Sequence, residues 1–230
     1  MNHALLASLV LPWLMAAPMV QAAVAVGATR VIYNAAHKEA SLGVSNKGEG
    51  LPYLIQSRVL PYASDQQNDH PDFIVTPPLF RLDPNSEGVL RIIATPQSLS
   101  DTEETLLRLE VKAIPALPEQ ADNPNMLQIA IKTSLKLFYR PAALQGDLPG
   151  AVQALRWRSE NGRLSVFNPT GFHVVVDRLT LNGQAVTTDA PVLAPHRSTA
   201  LSVATRAGAR LHMDYINDYG GVAGTAYTVE

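Results

Sequence analysis

Residues 127–141, LQIAIKTSLKLFYRP, constrain the fold more than any other stretch, because they alternate apolar and polar side chains with a strict period of two. Leu127, Ile129, Ile131, Leu135 and Leu137 fall on one parity, and Gln128, Lys132, Ser134 and Lys136 on the other. Such a pattern suits a half-buried β-strand, in which successive side chains point to opposite faces. A slip of one residue would invert both faces, so the pattern fixes register as well as conformation. Periodicity alone fits an ordinary core strand of a β-sandwich equally well.

The chain opens MNHALLASLVLPWLMAAPMVQAA, with an apolar run from Ala4 to Leu14 followed by small residues. This is the layout of a secretory signal peptide, with Val20 and Ala22 at the third and first positions before a cut. The n-region carries only the free amine and His3, and the apolar run is interrupted by Pro12 and short for a bilayer span. Residues 1–22 are therefore set apart, and the mature chain is expected to start at Ala23 and to be exported.

About 208 residues remain, enough for one large domain or two of about 100. Seventeen Pro and fourteen Gly punctuate short Val-, Ile-, Leu- and Thr-rich runs, and no long stretch has helical period, which favours two β domains. In the first half strands are expected over 29–33, 41–45, 53–59, 73–76, 79–82, 88–93, 105–114 and 127–139. Eight strands fit one immunoglobulin-like sandwich. The clusters at 45–48, 83–86 and 122–125 separate them as turns. Residues 140–150, with Pro141, Gly146, Pro149 and Gly150, read as an interdomain linker. Beyond it weaker strands are expected over 154–159, 163–168, 173–181, 199–203 and 210–216. No strand is read after Ile216, and whether the second sandwich has a terminal strand is left open. The domains are accordingly residues 23–143 and 144–230, the fold class is all-β, and without cysteine stability must come from apolar packing.

Little in the sequence speaks for catalysis or a cofactor. His3, His37, His70, His173, His196 and His212 are scattered singly and form no metal-ligand pair. Ser45 in LGVSNKG lacks the second glycine of a nucleophile elbow, and no glycine-rich phosphate loop precedes a helix. The carboxylates Glu103, Glu104, Asp65, Asp69 and Asp72 sit in polar stretches that read as solvated loops. A net charge of −2 gives no electrostatic footprint for nucleic acid. No enzyme activity, metal or cofactor is expected.

The motifs TRVIY (29–33), LPYLIQS (51–57), TPPLFRLDP (76–84), VLRII (89–93), KAIP (112–115), NMLQIAIKTSLKLFYRP (125–141), FNPT (167–170) and YINDYGG (215–221) occur in this order. In them the chain resembles the periplasmic pilus-assembly chaperones of the chaperone–usher pathway, the PapD-like family, along nearly its whole mature length. The resemblance implies two immunoglobulin-like sandwiches arranged as a boomerang, working in the periplasm on pilus or fimbrial subunits and handing them to an outer-membrane usher. It implies donor-strand complementation, in which Leu127, Ile129 and Ile131 fill the groove left by a subunit's missing strand. A second copy covering the same edge would make a self-capping dimer.

The resemblance also implies that two cations in the cleft, Arg30 and Lys136, grip the subunit's C-terminal carboxylate, a chemistry suited to charge-assisted hydrogen bonds. Lys136 has the parity opposite to Ile131, so a bulge or twist is expected if both faces are to serve one client. Glu104, Arg140 and Asp218 match the family's interdomain ion pairs, with Glu103 the alternative to Glu104. Arg91 is read as support for the first sheet, and Asn168-Pro169 as a turn.

The chain departs from the family in the 105–111 segment TLLRLEV, which has Leu and Arg where aromatics are common, and in lacking the cysteine pairs of some members. The short connection between Pro115 and Met126 resembles the short-loop branch associated with rod-like fibres. A secreted immunoglobulin-like fibre subunit is the alternative. It would need an N-terminal donor arm, whereas residues 23–28 lead straight into TRVIY.

Overall fold

The structure, a computed structural model, describes residues 24–62, 70–95, 98–117, 127–187 and 191–230. The leader with its cleavage site, the 122–125 turn, Asp65, Asp69 and most of the short connection after Pro115 lie outside the described residues. What is described is all-β apart from one short helix, in two sandwiches with separate cores.

In chain order the first sandwich holds β1 (Val24–Val26), β2 (Arg30–Asn34), β3 (Ala40–Asn46), β4 (Tyr53–Pro61), β5 (Phe73–Thr76), β6 (Leu79–Leu82), β7 (Ser86–Ala94), β8 (Thr105–Pro115) and β9 (Ile131–Arg140). One sheet runs β1-β3-β7-β5 and the other β2-β9-β8-β4-β6. Alternation decides which side chains meet between them. On β4, Ile55 and Val59 point inward with Ser57, while Leu54, Gln56 and Arg58 point out. Leu42, Leu90, Ile92, Leu109 and Leu137 complete a core in which each is no more than 2% exposed.

The strands expected in this half form within a few residues of their expected limits, except the last. Residues 127–130 are not strand, and β9 begins at Ile131. The last rung to β8 is Ala113↔Ile131, so the preceding residues have no neighbouring strand to complete their hydrogen bonds. The three-residue β1, too short to read from the sequence, pairs with β3 and carries the chain into the opposite sheet before β2.

The second sandwich begins where a linker was expected. Within residues 140–150 starts α1 (Leu148–Gln153), capped by the Asp147 side chain, which accepts from Gly150 N, with Pro149 in its first turn. Leu148, Ala151 and Val152 are buried, too few apolar positions to declare a helical period. Then follow β10 (Arg156–Glu160), β11 (Arg163–Phe167), β12 (Val174–Leu181), β13 (Gln184–Val186), β14 (Val192–Leu193), β15 (Ser198–Ala204), β16 (Arg210–Ile216) and β17 (Val222–Thr228). Asn161-Gly162 and Asn182-Gly183 all have positive φ, the backbone that a two-residue hairpin turn matching strand twist demands.

The second sandwich does not lack a terminal strand: β17 pairs with β16 from Ile216↔Val222 to Arg210↔Thr228. Its sequence, VAGTAYT, hid it because only Ala223 and Tyr227 pack against the core. Tyr227 is tied down by its hydroxyl, which donates to the Val152 carbonyl at 2.6 Å. Asn168 does more than turn the chain. Buried at 1% exposure, its amide nitrogen donates to the carbonyls of Phe172, Leu193 and Ala194, and its side-chain oxygen accepts from Thr170. It thereby satisfies carbonyls that burial would otherwise leave unpaired.

Candidate functional site

The five-stranded sheet of the first sandwich has an incomplete edge. β2 pairs with β9 in parallel only from Arg30↔Lys136 to Asn34↔Arg140. From Ile131 to Leu135, β9 is bonded to β8 on one side and, among the described residues, to no strand on the other. β2 stops there because the chain before it belongs to the opposite sheet: Val26 pairs with Val44, and Gly27 N donates to Gly43 O at 2.8 Å. A groove of about 430 Å3 lies between this crossing, residues 26–29, and residues 133–135 of β9.

The apolar row expected at this edge is on the surface. Leu127 is 83% exposed, Ile129 64% and Ile131 47%. Further along the same parity Leu135 and Leu137 are buried. One alternation therefore runs from open surface into core, and the sandwich fills only the second half of it. The expected bulge is absent: the β8–β9 register runs unbroken from Thr105↔Tyr139 to Ala113↔Ile131. None is required, because a strand that adds to an edge meets both faces of its neighbour at once.

Where the free edge ends, Arg30 and Lys136 stand level on neighbouring strands. Arg30 reaches into the space between the sandwiches, where its Nη1 donates to Ile216 O at 3.2 Å and its guanidinium lies 5.7 Å from the Phe138 ring centroid. Burial lowers its pKa, against the opposing charge of Asp218. Its Nε is buried without a hydrogen-bond partner, a donor still open to an acceptor. Lys136 Nζ lies 5.9 Å from the Tyr62 ring centroid, and among the described residues no carboxylate pairs with it. Tyr62 lies in none of the motifs, and only the folded chain brings it, the Phe138 ring and the Ile216 carbonyl to the two cations.

Four residues beyond Lys136, Arg140 joins three segments. Its Nε donates to Glu104 Oε1 at 2.7 Å, and Nη1 and Nη2 donate to the two oxygens of Asp218 at 2.8 and 2.9 Å. The guanidinium also lies 5.0 Å from the Phe172 ring centroid. Burial opposes its charge, yet the hydrogen bonds and charges of Asp218 and Glu104 outweigh this and raise its pKa. Glu104 is 3% exposed, and its second oxygen accepts from the backbone of His173 at 2.8 Å. The carboxylate that meets Arg140 is thus Glu104, whereas Glu103 is part of a turn in which Ser100 Oγ accepts from its N–H. Arg91 lies apart on β7, 62% exposed, with Nε 3.9 Å from Glu39 Oε1. Phe172 carries no signal for its contact with Arg140, and His173 reads only as a lone histidine, since nothing local links it to Glu104, 69 positions earlier.

The family described as pili and flagellar-assembly chaperone, PapD N-terminal domain, matches residues 23–145, and that described as pili assembly chaperone PapD, C-terminal domain, matches residues 150–227. The probable fimbrial chaperone LpfB of Escherichia coli O157:H7 is 38% identical over 204 residues, 87% of this chain and 85% of that protein. The chaperone protein FimC of Escherichia coli K12 is 38% identical over 210 residues, 91% of this chain and 85% of that protein. Among solved structures, the Salmonella enterica SafA pilin–SafB chaperone complex matches with a TM-score of 0.77 and 32% identity, over 90% of this chain and 96% of the matched one.

Proposed function

Because this chain belongs to the PapD-like family of pili assembly chaperones, we propose that it holds pilus subunits at the free edge of β9 and supplies them with a strand. The observation that carries this reading is the row of Leu127, Ile129 and Ile131, exposed at 83%, 64% and 47% and continuous with the unpaired rungs of β9. A row of this kind is an aggregation hazard unless a partner covers it. Added to a subunit's open groove, each side chain contributes about 1.5–3 kcal/mol of apolar burial, from which ordering costs subtract.

Arg30 and Lys136 anchor the subunit's C-terminal carboxylate. The unpartnered Arg30 Nε and the unpaired Lys136 support this role, and their place at the end of the free edge gives the client strand a fixed stop. Glu104, Arg140 and Asp218 hold the interdomain angle, so that the anchor keeps its place relative to the second sandwich. Interdomain ion pairs of this type specify geometry more than they stabilise it.

The chaperone acts in the periplasm after cleavage of residues 1–22, with working domains at 23–143 and 144–230. It passes subunits to an outer-membrane usher and, with its short connection before residue 127, serves rod-like fibres. When free of client the same edge is open to a second copy as a self-capping dimer. The test is co-purification from periplasm with the pilins of its own fibre system. Wild type should retain a pilin and Ile129→Asp should not, and equal retention by both would overturn the donor assignment.

A further inference from the structure

The outward face of the β2-β9-β8-β4 sheet concentrates positive charge that the net charge of −2 conceals. Register sets its side chains in rows. Arg30, Lys136 and Arg108 lie level across β2, β9 and β8; the next row holds Ser134, Glu110 and Arg58; the next holds Lys132, Lys112 and Gln56. Alternation sends all of these away from the core, with Leu135, Leu109 and Val59 pointing inward. Among the described residues, six cations therefore share this face with one carboxylate.

That carboxylate is already engaged. Glu110 is 4% exposed, with Arg58 Nη2 at 3.0 Å from Oε2, and Arg108 Nε and Lys132 Nζ each 3.4 Å from Oε1. Burial alone would raise its pKa, but the Arg58 hydrogen bond and the Lys132 charge outweigh it and hold the carboxyl below its ordinary value. Among the described residues, this one negative charge faces the cations of its own row and of the rows on either side, and Lys112, exposed on the outermost row, forms no ion pair. A cleft of about 480 Å3 opens among Gln56, Arg58, Glu110, Lys112 and Lys132.

What meets this face follows from the direction of the edge, and here the argument rests on the proposed function. The unpaired rungs of β9 run from Ile131 to Leu135 and stop at the anchor, where Arg30 is level with Lys136. A client strand that ends in a carboxylate on Arg30 and Lys136 and still covers those rungs must run parallel to β9. Level residues on neighbouring strands face the same way. The last free rung is Leu135, so the client's C-terminal residue is level with it, and the side chains one and three residues before are level with Ser134 and Lys132, on the cationic face. We infer that this face selects clients with a carboxylate side chain three residues before the C-terminus, received by Lys132 and Lys112. The anchor row is thus the last row of a longer electrostatic reader. Lys112 stands one strand further from the edge than Lys132, a spacing of about 4.8 Å that its long side chain spans.

The experiment uses the full mature chain and fluorescence anisotropy with two labelled strand peptides of about ten alternating Val and Thr residues. Both keep a free C-terminal carboxylate and differ only in Glu or Gln three residues before the C-terminal residue. At about 0.05 M salt the Glu peptide should bind about fivefold more tightly, and the difference should vanish at about 0.5 M salt. It should shrink in Lys112→Gln and in Lys132→Gln, with the Lys112→Gln protein melting as wild type does. Equal binding of the two peptides to wild type overturns the inference, as does a Lys112→Gln loss that is the same for both, which would mark a site for any anion. Amidated versions of both peptides separate this from the anchor: indifference to amidation sinks the anchor, whereas amidation-sensitive binding without a Glu preference sinks only the present inference. Failure of every peptide to bind counts against both.

Discussion

Arg30 on β2 and Lys136 on β9 are register partners at the first rung of a parallel pair, at the point where the edge of β9 ceases to be free. The two cations thus mark a fixed position along a strand that is otherwise open for addition. A terminal carboxylate held there sets the register of whatever is added, and a shift of one residue would turn every client side chain to the wrong face.

Removing either cation should cost client binding without unfolding the chaperone. In Arg30→Ala or Lys136→Ala one charge-assisted hydrogen-bond partner is lost, worth about 1.5–3 kcal/mol, or roughly ten- to a hundredfold in affinity. Binding of a subunit with a free and with an amidated C-terminus checks this, since amidation should reproduce the loss on wild type. Normal binding by both variants would remove the anchor.

Ile129→Asp should fail differently. At 64% exposure in the free protein the new charge stays in water, so far-UV circular dichroism and melting should be unchanged. Docking would bury the charge unpaired, at a cost of several kcal/mol, and subunit capture should be lost. Unfolding of the free variant would mean that the row is ordinary core.

Arg140→Ala leaves Glu104 buried without its guanidinium. Loss of one partner from a buried pair costs about 3–5 kcal/mol, and Glu104→Gln, which keeps a polar group beside Arg140, should cost less. Urea denaturation gives the magnitude, and small-angle scattering tests whether the angle between the sandwiches broadens. Unchanged stability and shape would show the network to be irrelevant.

Glu110 should make the first sandwich sensitive to acid. A carboxyl whose folded pKa lies below its unfolded value contributes stability that is present above the unfolded value, about 4.3, and is lost as pH falls through the folded one. Urea midpoints of wild type should therefore drop between about pH 5 and about pH 3, and Glu110→Gln should flatten part of that slope. A variant that follows wild type throughout this window would contradict the assignment.

Export should cut the chain between Ala22 and Ala23, the site that Val20 and Ala22 specify after the apolar run. Intact mass of the periplasmic protein decides it. A different mature N-terminus, or a full-length form retained in the membrane, would refute it.

How far the sequence reveals this protein depends on the range of the signal. Strands β3 to β8 are legible because two-residue alternation is a local property, and Ile55 or Leu90 sits inside for reasons visible within its own segment. The helix α1 escapes because its three buried residues are too few to establish a period. β17 escapes because small side chains such as Ala223 and Gly224 alternate weakly. Arg30, Lys136, Glu104, Arg140 and Asp218 stand out only through the family resemblance, since no local pattern joins residues 36 or 78 positions apart. The rows around Glu110 need the register of three strands, which the sequence does not display.

Lys136 and Arg140 lie four residues apart on the same strand, about 13 Å along a rigid rail. What Glu104 and Asp218 do to Arg140 is therefore transmitted to Lys136, the stop proposed for a client strand. Damage at the hinge should surface first as misplaced subunits, and only later as a protein that melts early. A screen that scores fibre architecture will find such lesions where one that scores chaperone abundance passes them over.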